Sequence, residues 1–496
     1  MLRVRFFLLI AGLVATTFST AYADEPSRDD DVFGEESRED DMFGGGEDSD
    51  SDAEARLDNK LEEKDDLTQI GGFLYLQLNY STYDEGEPAD YALQSPALFD
   101  LYMDSRPTER IRAYARGRIV QQLTAGSSAF DSFDFDFADS QPASNTQASL
   151  DQLWLKFDIA RTVYVTVGKQ PVRWGTGRFW NPTDFLQAQV RDPLAVFDTR
   201  QGVSLLKLHM PFEELGWNLY GALNLQELAT PRDIAGALRA EFLFDTTEIS
   251  LSAAARNAGL KQFGLDFSTA FFDLDVRGEV AVSNKVQTAF FEGTLSDDFA
   301  ESMLNAEYDI EEFPTLVGRK NDWIVQAVFG AELAIKYSDE DSLILGLEYF
   351  FNDAGYDESS IYPWLIAVAS PDIQASLNSI NYGDGRLSNF DTASSFKPLY
   401  LGRHYLALSA ILMAPGSWNN TTLVFSGLCN LSDKSLIVRG DYRIRVLTQL
   451  DLGAYITVHT GNTGEFRMNI PVSNDTDGVA LAAQLVDIGA SLRVSF

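Results

Sequence analysis

In the stretch RIRAYARGRI, Arg110, Arg112, Tyr114, Arg116 and Arg118 occupy alternate positions. Alternation places them on one face of a β-strand, with Ile111, Ala113, Ala115, Gly117 and Ile119 on the other. Just upstream, Asp100, Tyr102 and Asp104 share a face in the same way. Pairing about Thr108 is expected to set Asp104 opposite Arg112 and Asp100 opposite Arg116, leaving Arg110 and Arg118 over. Such a row can act in two ways. It can draw anions along a water-filled wall, or it can knit the wall together as ion pairs. The pairing favours the second, with part of the row still open to solute.

A second stretch, VGKQPVRWGTGRFWNPTDF (Val167 to Phe185), starts as a strand and then loses its period. Pro171 removes a ladder donor, Gly175 and Gly177 permit unusual backbone angles, and Asn181-Pro182 marks a turn. With Arg173, Trp174, Arg178, Trp180, Arg191 and Arg200, it is expected to fold inward as a constriction. Gly175-Thr176-Gly177 lacks the third glycine and the βαβ setting of a dinucleotide site. Little else points to catalysis. The three histidines, His209, His404 and His459, are far apart, and only His459 is expected on an inner face, so no enzyme is read here. Cys429 is the single cysteine, which excludes a thiolate metal cluster. Asp48, Asp50 and Asp52 open like a calcium loop, but Ala53 replaces the turn glycine and Asn59 the closing glutamate. No cofactor or metal is expected. A net charge of −36 argues against nucleic acid as a partner.

What positions these residues is a period of two that returns along the whole chain. In WIVQAVFGAELAIKY, Trp323 and Tyr337 end one apolar row while Gln326, Glu332 and Lys336 lie opposite. An aromatic at each end of an apolar row matches the interfacial girdles of a membrane barrel. Eighteen alternating segments can be counted, from 69–82 through 110–123 and 163–174 to 486–496. Sixteen is the alternative, because 235–256 and 399–413 are ragged. Long connections at 124–147, 175–199, 285–321, 353–398 and 461–485 alternate with short turns such as RPTE (106–109). No window approaches the 18 consecutive apolar residues of a membrane helix. The fold class is therefore all-β, a closed antiparallel up-and-down barrel with short turns in the periplasm and long loops outside. The last strand, VDIGASLRVSF, ends with Phe496 on its apolar face, which reads as closure of the barrel against lipid.

The N-terminus divides from the rest. Arg3 and Arg5, the apolar run FFLLIAGLV and Ala21-Tyr22-Ala23 describe a secretory signal cleaved after Ala23 (1–23). Residues 24–66 carry 20 acidic against 5 basic residues, a net −15, and are expected to form a disordered periplasmic tail. The barrel is assigned 67–496.

Gly168-Lys169-Gln170, Trp174-Gly175 and Asn181-Pro182-Thr183-Asp184 resemble the G-[RK]-Q…W-G…N-P-x-D signature of porin-like outer-membrane barrels, alginate-export-like channels among them. The likeness covers about 20 residues and has a short spacer, Thr176 to Trp180. It implies a passive channel or exporter in a gram-negative outer membrane. Together with the terminal Phe496, which resembles the signal read by the barrel-assembly machinery, it implies membrane lipid and that machinery as partners. The expected function is passage of small hydrophilic, anionic solutes through an arginine-lined lumen. The alternative is a plugged structural or receptor-type barrel acting through its outer loops.

Overall fold

A computed structural model describes residues 67–84, 92–124, 146–294, 314–368, 384–468 and 483–496, apart from 188, 190, 196–199, 227–234, 257–258, 320, 339–340, 386, 393–394 and 419. The signal and the acidic tail lie outside the described residues. Eighteen strands make the wall: β1 (Thr68–Tyr83), β2 (Pro96–Thr108), β3 (Ile111–Gln122), β4 (Thr146–Ile159), β5 (Val163–Gln170), β6 (Val203–Phe212), β7 (Trp217–Asn224), β8 (Ala235–Phe244), β9 (Thr247–Ala255), β10 (Lys261–Phe271), β11 (Leu274–Asn284), β12 (Trp323–Lys336), β13 (Ser342–Asn352), β14 (His404–Met413), β15 (Thr421–Asn430), β16 (Ser435–Leu447), β17 (Leu450–Gly461) and β18 (Gln484–Ser495). Each pairs antiparallel with the next, and β1 closes on β18 with Leu76 opposite Leu492. Closure leaves no strand edge unpaired, which a barrel in hydrocarbon requires. The count of eighteen, not sixteen, holds.

Alternation sorts the side chains as the sequence predicts. On β1, Leu74, Leu76 and Leu78 face out while Phe73, Tyr75, Gln77 and Asn79 are buried inward. Exposed apolar side chains such as Leu238, Phe263, Phe329, Leu408 and Phe425 cover the outside all round. In water this surface would be costly, at roughly 25 cal/mol per Å² of apolar area; against lipid it is the stable arrangement. Phe496 is 56% exposed on that face. It stacks on Phe99 at 6.0 Å, and its N–H and C=O both pair with Gly72 at 2.9 Å. It therefore completes the seam between the first and last strands.

Two segments are shorter than their apolar patterns. The fifth strand stops at Gln170, where Pro171 ends the ladder. The fourteenth begins at His404, since residues 399–403 belong to a loop packed inside the barrel.

Candidate functional site: the lumen wall and its inward loop

The β3 arginines face the lumen, and none of those expected to be left over is. Arg112 donates to Asp104 at 3.0 Å and Arg116 to Asp100 at 2.8 Å, the two pairs expected. Arg110, however, pairs with Asp158 at 2.8 Å, and Arg118 with Asp151 at 2.8 Å and Asp100 at 3.5 Å. The expected register also fails. A bulge between Ser105 and Thr108 shifts β2 so that Asp100 lies opposite Arg118 and Asp104 opposite Tyr114. The pairs survive because long arginine side chains reach the diagonal neighbour. The expected surplus of charge at Arg110 and Arg118 is thus corrected: each β3 arginine meets a carboxylate.

This distinction predicts unequal mutants. Arg118 is 5% exposed, so Arg118→Gln leaves buried Asp151 and Asp100 short of a cation and should cost about 3–5 kcal/mol of stability. Arg110 is 52% exposed and its partner Asp158 keeps the Arg161 N–H, so Arg110→Gln should cost far less. Thermal unfolding in detergent checks both; equal effects would contradict the pairing.

The same alternation, missed in the sequence, recurs in VRGDYRIRV on β16. Arg439, Asp441, Arg443 and Arg445 share the inner face. Arg439 pairs with Asp441 at 2.7 Å and lies 3.9 Å over the Tyr455 ring, while Arg445 reaches Asp451 at 3.4 Å. Arg493 on β18 lies 4.6 Å over Phe73. Between the two arginine rows the wall is polar, with Gln77, Asn79 and Tyr455 joined by hydrogen bonds of 2.7–3.2 Å. Tyr114 of β3 stacks on Trp154 of β4 at 5.3 Å, and farther along the wall His209 stacks on Tyr220 at 4.4 Å. His209 is therefore an inner-face residue, although His459 alone was expected there.

The connection from β5 to β6 folds inward and lies along the other side of the barrel. Val172, Trp174, Phe185 and Leu186 pack on Ala222, Ala237, Ala254 and Ala281, which stand inward on β7, β8, β9 and β11. Alanine on four strands makes room for those large side chains against the wall. Further on, Phe179, Trp180 and Leu194 pack with Val328, Phe350, Tyr405, Leu428 and Ile437 from β12 to β16. This is an apolar core inside a barrel.

Two wall carboxylates hold the loop. Glu279 on β11 accepts the N–H groups of Thr176 and Gly177, each at 2.5 Å, and the Thr183 hydroxyl at 2.8 Å. Gly175 makes that approach possible: its φ is 98°, and a Cβ there would lie 2.5 Å from the Glu279 carboxylate. Glycine-Thr-glycine is thus a backbone nest, and its anion is the protein's own glutamate. Glu348 on β13 accepts the N–H groups of Arg178, Phe179 and Trp180 at 2.7–2.9 Å. Arg178 also donates to Glu332 at 2.7 Å. Other residues of the GKQ…WG…NPTD stretch serve the same end: Gln170 Nε2 donates to the Leu205 carbonyl, Asn181 Nδ2 to that of Gly177, and Asp184 meets Arg200 at 3.4 Å.

Several expected solute contacts are corrected by burial. Trp180 is 1% exposed, with its Nε1 donating to the Leu399 carbonyl at 3.0 Å, and Trp174 is buried beneath Arg239. Both are core of the loop. Arg173 donates to the Gly177 carbonyl at 3.4 Å, and Arg191 remains half-buried in the same loop.

The β13–β14 and β17–β18 connections join this core. Glu465 accepts from the Tyr405 hydroxyl at 2.6 Å, from Asn430 Nδ2 at 3.0 Å and from the Leu399 N–H. Burial raises its carboxyl from 4.5 to about 8; the Tyr405 hydroxyl opposes the rise and nearby Asp433 adds to it. The folded state therefore binds more protons than the unfolded one between those values. Its contribution to loop packing is full below pH 4.5 and is lost as pH rises through about 8. Amide exchange of residues 399–405 should accelerate over that range, and Glu465→Gln should remove the dependence. A pH-independent wild type would contradict this placement.

No protein-family model and no curated protein matches this chain. Solved structures do share its architecture. A BenF-like porin from Pseudomonas fluorescens aligns at 11% identity and a TM-score of 0.46, over 86% of this chain and 99% of that one. The values are the same for Pseudomonas aeruginosa OpdK with vanillate. A Rhodopseudomonas blastica porin variant aligns at 10% identity and 0.38, over 86% and 100%. Similarity at this level assigns no function, and what the barrel does must come from its own lumen.

Proposed function

We propose that the barrel spans a gram-negative outer membrane and works as a porin-like channel for small hydrophilic solutes. The observation that carries this reading is the division of the lumen. The β5–β6 loop is held to the β6–β13 side by Glu279 and Glu348, while the facing wall from β16 through β1 to β5 is charged and polar. A wall of paired arginines, tyrosines and amides suits water and polar solutes, and 18 strands enclose room for an aqueous path beside a docked loop. Membrane lipid and the barrel-assembly machinery are the partners this reading requires, with export by the signal at 1–23 and the acidic 24–66 tail left in the periplasm.

An anion preference does not rest on unpaired β3 arginines. It is carried by the summed basic character of the wall, to which Lys156 on β4 and Arg443 and Arg493 add. Proteoliposomes containing the barrel should swell in isotonic solutions of small sugars and amino acids, and not in dextran. One observation favours the plugged alternative: Trp180, Trp364, Leu365 and Phe466, all at most 2% exposed, form packed core within the loops. Liposomes that fail to swell in any solute would select that reading.

A further inference from the structure

The periplasmic mouth of the barrel is two-sided in charge. On the arc from β16 through β1 to β5, Arg443, Arg445 and Arg493 gather about one carboxylate, Asp451. Arg106 and Arg112 share another, Asp104, each at 3.0 Å. Arg110 and Arg439 each have an aspartate of their own, Asp158 and Asp441. Lys156 and Arg161 are cancelled by Glu109 and the terminal carboxylate of Phe496. The arc therefore keeps a surplus of three positive charges, two about Asp451 and one about Asp104. Across the mouth the short turns carry exposed Glu213, Glu214, Asp245 and Asp273. Both parts of the surplus can be reached. Arg106 and Arg445 are 54% and 51% exposed, and the Arg445 side chain meets Asp451 through Nε at 3.4 Å. Exposed pairs of this kind contribute little, and a guanidinium with five donors can serve a second anion.

The chain carries such an anion next to this arc. Residues 24–66 have a net charge of −15. They join the barrel at Leu67, whose carbonyl accepts from the Arg106 N–H at 2.8 Å. The acidic tail is tethered beside the surplus. Within it RDDDVFG (28–34) returns as REDDMFG (38–44), each with three consecutive acids. From residue 44 to Leu67 a flexible chain reaches about 25 Å, while β16 lies three strands from β1, about 15 Å away. A tether of this length acts like a ligand at roughly millimolar concentration, so even weak contacts are populated. We propose that residues 24–66 bind the basic arc at the periplasmic mouth of their own barrel, a tethered polyanion that competes with anionic solutes for Arg106, Arg112, Arg443 and Arg445. The acidic turns opposite repel the tail and direct it to the arc. The competition rests on the channel reading given above, whereas the contact does not.

Two measurements on the mature chain test this, with a variant whose own tail is neutralised at both repeats: Asp29→Asn, Asp30→Asn, Asp31→Asn, Glu39→Gln, Asp40→Asn and Asp41→Asn. In uncharged detergent, a fluorescent peptide of residues 24–66 should bind that variant. Raising salt from about 0.1 M to about 1 M, which cuts the screening length from about 10 Å to about 3 Å, should weaken binding roughly tenfold. Adding Arg106→Gln and Arg445→Gln, both exposed positions, should weaken it about as much. Absence of binding, or binding indifferent to those two arginines, would overturn the inference. In planar bilayers, the wild-type chain should show brief current blocks. They should be roughly tenfold more frequent when 100 mV drives anions from the periplasmic side inward than at the opposite polarity, as one charge moved through about a third of the field requires. The neutralised-tail variant should show none. A wild type that conducts like that variant would overturn the competition and leave the channel reading intact. If neither conducts while the peptide binds, the channel reading falls and the contact stands.

Discussion

Glu348→Ala should loosen the part of the β5–β6 loop around residues 178–180 from the wall. Three N–H groups, those of half-buried Arg178 and of buried Phe179 and Trp180, lose their acceptor together. At about 1–3 kcal/mol for each unsatisfied donor, the loss is roughly 3–9 kcal/mol. Trp180 still packs on Phe350 at 5.3 Å and on Tyr405 at 5.5 Å, a contribution of about 3–5 kcal/mol. The two are of similar size, so residues 178–180 come near balance between docked and released, while Glu279 and the packing of Trp174 and Phe185 still hold the rest of the loop. Conductance should rise and become noisy, and amides 178–180 should exchange faster. Glu332→Gln, which weakens the side-chain pairs of Arg178 and Arg277 and leaves the three N–H bonds to Glu348 in place, should change loop docking little. Protection and conductance equal to wild type in Glu348→Ala would show that aromatic packing alone holds the loop.

Removal of Phe496 should have the largest effect on yield of folded barrel. Its backbone pairs twice with Gly72 and its ring stacks on Phe99, so its loss frays the end of the seam below the Phe73–Ser495 pair, where the sheet closes on itself. The frayed end leaves the Gly72 N–H and C=O unpaired, each costing several kcal/mol in lipid. Ser495→Ala, on the inner face one residue before, is the control. Heat-modifiable mobility on gels reads folding directly. Equal amounts of folded barrel from both variants would contradict the role of the terminal residue.

The wall was largely legible in the sequence, because alternation is set by the pleat and each strand carries its own record of it. Strand ends were less so: 399–403 looks apolar enough to continue β14, yet Leu399 faces the loop core and donates to Glu465. Pairings of β2 with β3 were read correctly by partner and wrongly by register, since nothing in DSRPTER announces the bulge. The β16 row could have been found by the rule that found the β3 row. Glu279 and Glu348 could not. In LDVRGEVAVS an inward glutamate looks like any lumen-facing polar residue, and its meaning depends on a loop over 95 positions away in the chain. The anion bound by the glycine-Thr-glycine turn of that loop is internal, the Glu279 carboxylate.

Single-channel recording of the purified mature protein in a planar bilayer shows whether a continuous aqueous path runs beside the docked loop. Wild type should give steady current steps of uniform size, and Glu348→Ala larger, flickering steps. A wild-type barrel that inserts yet carries no steady current, while Glu348→Ala conducts, would show that the inward loops close the lumen and that the protein is not an open channel.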